Sequence, residues 1–204
     1  MQRIVLAAET LFGANGYEHT SVAEIVARAR SSVGAFYSRF KDKEGLFFHL
    51  HARQCHLLIE RINALADEKR WRNATLAEMI AGIVSGQFAF VQERRAMSRV
   101  FIQRSATDPA FHERYARAWR EVADTLQALL MTRRHEMRHP EPARAVDMVL
   151  ELLHSIWAND VLHHGAPDIT GRFDLKTRER EVIAAFLAYL GADAGEPERS
   201  RSDR

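Results

Sequence analysis

The side chains best suited to act on a partner are gathered in one short stretch near the N-terminus. Thr20 and Ser21 bring hydroxyls. Arg30, Ser31 and Ser32 set a cation beside two more hydroxyls. Val33, Gly34 and Ala35 follow with little bulk, and Tyr37 and Lys43 close the run. This mixture lacks a paired nucleophile and base. It suits a phosphate backbone and the edges of bases instead. Small residues let a helix approach closely, hydroxyls and ammonium groups bind phosphate oxygens, and free amides at a helix start favour an anion. Val33 offers a methyl group to a thymine methyl.

Those residues must sit on short helices joined by tight turns. Ile4, Ala8, Leu11 and Phe12 share one face of a first helix over about 2–14, stopped by Asn15-Gly16. Ser21 and Glu24 form a capping box for a second helix with Val22, Ile25, Val26 and Ala29 inward. After a turn at Arg30-Ser31, Ser31 or Ser32 caps a third helix holding Ala35, Phe36, Tyr37 and Phe40. Asp42 caps a fourth over 43–66. Such a set is what a helix-turn-helix unit requires, with the third helix presented to DNA.

Helical signals continue downstream. Thr75 and Glu78 form a second capping box, opening a helix to about Gln92, and a shorter helix covers 95–106. Asp108-Pro109 opens one that runs to Arg138, where His139-Pro-Glu-Pro142 breaks it. Helices over 143–164 and 174–190 flank a loop at 165–173, and the polar tail 192–204 is expected to be disordered. No strand-type alternation is sustained, so the expected fold class is all-α.

Composition excludes several classes. Cys55 is the sole cysteine, which rules out an intrachain disulfide framework and fits a reducing compartment. No apolar run approaches the roughly 18 residues of a membrane span, and no export signal is visible, so a cytoplasmic protein without membrane contact is expected. No Gly-x-Ser-x-Gly elbow and no phosphate loop occur, so no catalytic residue and no cofactor are expected. His51 and Cys55 lie four apart and His163 and His164 are adjacent, short of the three or four convergent ligands of zinc, and no metal is expected.

The formal charge of +2 hides a gradient: residues 1–140 carry +6 and 141–204 carry −4. The window 21–43 alone carries +3. A basic N-terminal part and an acidic end that faces away from it fit a polyanionic partner.

The run Arg3-Ile4, Ala7-Ala8, Leu11-Phe12, Gly16-Tyr17, Thr20-Ser21-Val22, Ile25, Gly34, Phe36-Tyr37, Phe40, Lys43-Glu44 and Leu46-Phe47 closely resembles the DNA-binding domain of the TetR-type transcriptional regulators. The resemblance covers about residues 3–50. It implies a helix-turn-helix DNA-binding domain at 1–47, a larger effector-binding and dimerisation domain at 48–191, and a partly palindromic operator bound by a homodimer. The dimer would form through helices 143–164 and 174–190. Two departures stand in the turn. It reads Ala29-Arg30-Ser31-Ser32 where the family usually has Ala-Gly-Val-Ser, which is expected to loosen it, and Val33 replaces a frequent lysine.

An effector pocket belongs among the later helices. Its expected lining is Phe88, Phe101, Phe111, Tyr115, Trp119, Met148, His154 and Trp157, with Phe90, Gln87 and Gln103 as further members. The aromatic content points to a small apolar or aromatic effector, although a packed core has the same spacing. The function expected is a ligand-responsive repressor with the fourth helix as lever. The alternative is a helical interaction module that has lost specific DNA binding.

Overall fold

The computed structural model describes residues 1–67, 69–163 and 173–192, the side chains of 65–70 excepted. The expected loop and tail lie almost wholly outside these residues. The fold is all-helical, and eight α-helices are described: α1 (Gln2–Asn15), α2 (Val22–Arg28), α3 (Val33–Tyr37), α4 (Lys43–Asp67), α5 (Leu76–Thr107), α6 (Pro109–Met131), α7 (Pro142–Leu162) and α8 (Leu175–Leu190).

The helix starts are set by local side chains. Ser21, Ser32, Asp42, Asp108 and Asp174 each accept a backbone N–H from the first turn that follows. Thr75 and Glu78 exchange hydrogen bonds as a full box, with Thr75 N–H donating to Glu78 at 2.7 Å and Glu78 N–H to Thr75 at 3.2 Å. Each cap contributes about 1 kcal/mol. Gly16 ends α1 at a φ of 84°, a backbone conformation that glycine adopts without strain, and its N–H donates to Phe12 at 2.8 Å.

Three helix boundaries differ from the sequence expectation, the first being that of α3, which ends at Tyr37 and leaves Phe40 beyond it. The helices expected to either side of residue 93 are one helix, α5, bent at Arg94 with φ −120° and ψ 16°. The next residue, Arg95, forms an ion pair with Asp160 at 3.0 Å. Helix α6 stops at Met131 rather than Arg138. Arg133 turns back and donates to the carbonyls of Ala74 at 2.8 Å, Trp71 at 3.1 Å and Arg72 at 2.6 Å. Glu136, in a 3₁₀ turn over Arg134–Glu136, accepts the Leu76 N–H at 2.7 Å and so caps α5. These contacts satisfy one segment's carbonyls and the next helix's first amide, and they outweigh continued helix.

The chain packs as two compact units. The first holds Met1–Arg61, Phe90–Val122 and the end of α7 from Ala158. Its core joins Phe12, Ile25, Phe36, Phe40 and Phe47 of the N-terminal helices to Met97, Val100, Phe101 and Phe111 of α5 and α6. The second holds Ile62–Ala89, Ala123–Trp157 and α8. There Leu76, Ile80, Val84, Leu130, Val146, Leu153 and Leu190 are buried.

Candidate nucleic-acid interface

The first unit presents α2, the turn after it, and α3. Ser21 opens α2 with a reciprocal box. Its N–H donates to the Glu24 carboxylate at 2.7 Å, its hydroxyl donates to the same oxygen at 2.7 Å, and the Glu24 N–H returns a bond to Ser21 at 3.2 Å. These bonds hold the Glu24 carboxyl below its ordinary pKa. At the other end, Arg30 N–H donates to Ala27 at 3.1 Å and Ser31 N–H to Val26 at 2.9 Å. That pair of bonds is the Schellman closure, and Arg30 occupies its left-handed position at φ 47°. The turn is therefore closed in spite of the missing glycine, against the expected loosening. Holding an arginine there costs roughly 1 kcal/mol.

Helix α3 starts on Ser32, whose hydroxyl oxygen accepts the Ala35 N–H at 3.1 Å. Phe36 anchors the helix from below, fully buried, with its ring 5.2 Å from Tyr37 and 5.7 Å from Phe40. Everything on the other side is open. Val33 is 50% and Tyr37 54% exposed, and Ser32, Gly34 and Ser38 are exposed too. A Cβ at Gly34 would meet nothing nearer than the Ser32 hydroxyl at 4.0 Å. Neither backbone conformation nor internal packing calls for glycine at this position. Arg30, Arg39 and Lys41 are exposed around this face.

The expected DNA-contacting residues are unequal in access. Arg30, Ser32, Val33, Gly34 and Tyr37 reach solvent freely, while Ser31 and Ala35 are half-buried. Thr20 faces inward at 1% exposure, and its hydroxyl donates to the Gly16 carbonyl at 2.9 Å. Ser21, Thr20 and Lys43 line a shallow cleft of about 410 Å³ together with Glu18, His19 and Val22. Lys43 stands at the first position of α4, and its ammonium donates to the Tyr17 carbonyl at 2.9 Å. Tyr17 enters the sequence reading only within the run that carries the family resemblance, and His19 does not enter it. Their chemistry comes from the turn between α1 and α2, which carries no catalytic spacing of its own.

The expected effector residues divide between the two units. In the first, Phe101, Phe111 and Tyr115 surround the ring of His51 at 5.0, 4.9 and 5.9 Å, and Trp119 is half-buried farther along α6. Burial pushes His51 down to about 4 and Cys55 up to about 11, and it raises Tyr115 as well, so all three are neutral near pH 7. In the second unit, Phe88 is buried and His154 meets Trp157 edge to face at 4.9 Å. Met148 is 45% exposed and stands on the outer face of α7 near Leu152, which is 43% exposed.

Two histidine spacings invite a metal. Cys55 meets His51 at 3.5 Å, as four-residue spacing on a helix implies. His135, Glu136 and His139 follow the His-Glu-x-x-His pattern, which binds zinc only where a helix turns both rings to one side. Here that segment is a 3₁₀ turn running into extended backbone at Met137, and Glu136 is committed to the α5 amide. Among the described residues no three His, Cys, Asp or Glu side chains converge on a common point. No described helix is long and apolar enough to cross a membrane.

Comparison with known proteins agrees with this geometry. Residues 4–50 match the family model described as bacterial regulatory proteins, tetR family. Residues 75–190 match the model described as tetracyclin repressor-like, C-terminal domain, which by itself spans more than half of the chain. No curated protein matches the chain. Several solved structures share the fold. A bacterial regulatory protein of the tetR family from Rhodococcus RHA1 is 20% identical with a TM-score of 0.72, over 94% of this chain and 97% of that one. The regulator FadR from Bacillus subtilis, in complex with stearoyl-CoA, is 19% identical with a TM-score of 0.74, over 93% and 98%. The fatty acid degradation regulator FadR from Bacillus halodurans is 18% identical with a TM-score of 0.70, over 91% and 93%.

Proposed function

The chain belongs to the TetR family of transcriptional regulators, DNA-binding proteins rather than enzymes, and from that premise we propose that it acts as a homodimeric repressor released from its operator by a small apolar or aromatic effector. The carrying observation is the open face of α3, whose small exposed residues lie among the exposed cations Arg30, Arg39 and Lys41. In this reading Ser32, Val33, Gly34 and Ala35 enter the major groove. Tyr37, Lys43, Ser21, Ser31 and Arg30 bind the flanking phosphates. Thr20, with its hydroxyl spent on Gly16, contributes by holding Ser21 in place.

The proposed dimer surface is formed by the exposed sides of α7 and α8. On α7, Met148 and Leu152 lie one turn apart, with exposed Ser155 and Asn159 beyond them. On α8, Ala184, Ala185 and Ala188 are exposed beside Tyr189, leaving room for a second helix to approach. Met148 therefore serves the dimer better than a pocket. The symmetry of a dimer calls for a partly palindromic operator with half-sites about 34–36 Å apart.

The aromatic residues around His51 support the choice of effector. His51, Cys55 and Tyr115 are neutral there, with the charges of Arg114 and Glu121 close enough to be felt, and burial against the rings favours an apolar part of a ligand. A neighbour of the same fold holds stearoyl-CoA, which puts long acyl thioesters beside aromatic compounds as ligands to try. The test is a gel shift on DNA flanking the chain's own gene, with and without such compounds. The repressor reading predicts sequence-specific retention at sub-micromolar protein that fades steeply with salt and is lost on adding an effector. Retention equal on any DNA, or none, rejects it.

A further inference from the structure

Lys43 does not reach outward independently. Its ammonium donates to the Tyr17 carbonyl at 2.9 Å and lies 4.2 Å from the centre of the Tyr17 ring. Whatever holds Tyr17 therefore fixes the direction of that charge. Tyr17 is in the turn between α1 and α2, and the group that grips this turn comes from the far end of α5.

Arg104 makes the grip. Its guanidinium carbon lies 4.8 Å from the Tyr17 ring centre. One terminal nitrogen donates to Glu18 at 2.8 Å, beside Tyr17 in the chain. The other stands 3.6 Å from Glu44, beside Lys43. Nε at 3.0 Å and the second terminal nitrogen at 2.9 Å both face one oxygen of Asp108. Asp108 also accepts the Ala110 and Phe111 N–H groups at 3.0 and 3.1 Å, so it caps the helix that carries Phe111. A single planar fork thus joins the turn that carries Tyr17, the first turn of α4 and the start of α6. A lysine ammonium has no such geometry. Arg104 and Asp108 are only 21% and 22% exposed, so solvent screens that pair less than a surface pair, while Glu18 stands 71% exposed at the rim. Earlier along α5, Arg99 donates to the Gly13 carbonyl at 3.3 Å and Ala96 packs on Gly13.

We infer that Arg104 is a positioning residue for DNA binding: it sets the Tyr17 ring and carbonyl that aim the Lys43 ammonium, and it ties that aim to the start of α6. The inference rests on the DNA-binding reading above. Its logic is that of an indirect contact. Arg104 touches no phosphate, and its removal is felt through Lys43.

The test measures affinity and its salt dependence on a duplex selected by the unmodified chain from a random-sequence pool. Arg104→Met keeps the aliphatic stem and removes the fork. It is predicted to bind about tenfold more weakly and to lose about 1 from the salt slope per half-site, as Lys43→Ala does. In the double variant the second change costs no more than about twofold, because both act on one phosphate contact. Arg104→Lys restores part of the affinity and of the slope. If Arg104→Met loses its thermal transition, Arg104→Gln, which keeps a hydrogen bond to Asp108, carries the same prediction. Losses that multiply in the double variant overturn the inference, as do an unchanged affinity or a weakened affinity with an unaltered slope. These results leave the repressor reading standing. Failure of the unmodified chain to select any sequence rejects both.

Discussion

The outward faces of α3 and α7 follow opposite plans. On α3 the exposed residues are small or polar, with Ser32, Val33, Gly34 and Ser38 around Tyr37, and exposed arginines and a lysine lie close by. On α7 the exposed face carries Met148 and Leu152, with Arg144, Asp147 and Glu151 along its edges. Both helices bury their other side completely, Phe36 beneath α3 and Val146, Val149, Leu153 and Trp157 beneath α7. The contrast shows two different debts to solvent. A smooth cationic face loses little in water and gains from a polyanion that can come close. Apolar side chains of this size gain about 1.5–3 kcal/mol each when covered, so the α7 face gains from an apolar partner where the α3 face gains from a charged one.

The contrast breaks most sharply at α7. Changing Met148 and Leu152 together to glutamate is expected to leave a folded monomer, seen by sedimentation, and to weaken operator binding at least about 100-fold because two linked half-sites become one. Unchanged oligomeric state in this variant means that the α7 face is not the dimer contact. At the α3 end, Lys43→Ala or Tyr37→Ala is expected to weaken binding about tenfold each while the dimer stays intact. Anisotropy titrations read this, and unaltered affinity in both rejects the phosphate assignments.

Gly34→Ala separates folding from recognition. Alanine is the better helix former, and its methyl group has open space, so thermal stability should rise by about 0.5–1 kcal/mol. DNA affinity should nevertheless fall, since the methyl group would face the groove. A rise in both quantities removes the close-approach argument. The smallest effect is expected at Arg30→Gly. Relief of the left-handed arginine should add about 1 kcal/mol by urea unfolding, while one phosphate contact is lost, so affinity should change by only a few fold. Lower stability in this variant would show that the Arg30 side chain does more for the turn than its backbone strain costs.

Much of the α3 face was legible in the sequence because it is made by near neighbours. Ser21 with Glu24, Ser32 with Ala35, and Asp42 with Gly45 close bonds within three residues. Residue type and spacing alone disclose such bonds. Other features are set at long range and leave no periodic trace. The early end of α6 depends on Arg133 reaching carbonyls at 71, 72 and 74. The inward turn of Thr20 depends on carbonyls of Leu11 and Gly16. Arg104 meets Glu18 across 86 positions of chain. The aromatic residues of α5 and α6 were visible as types, but their gathering around His51 was not, because that histidine read only as a half-formed metal pair.

In the proposed repressor, α3 reads a specific site as one of a pair. Titration of a selected operator duplex by sedimentation, repeated between about 50 and 200 mM salt, tests it directly. The prediction is two chains per duplex, a steep fall of affinity with salt, and much weaker binding when one half-site is scrambled. One chain per duplex, or equal affinity for the scrambled site, would contradict it.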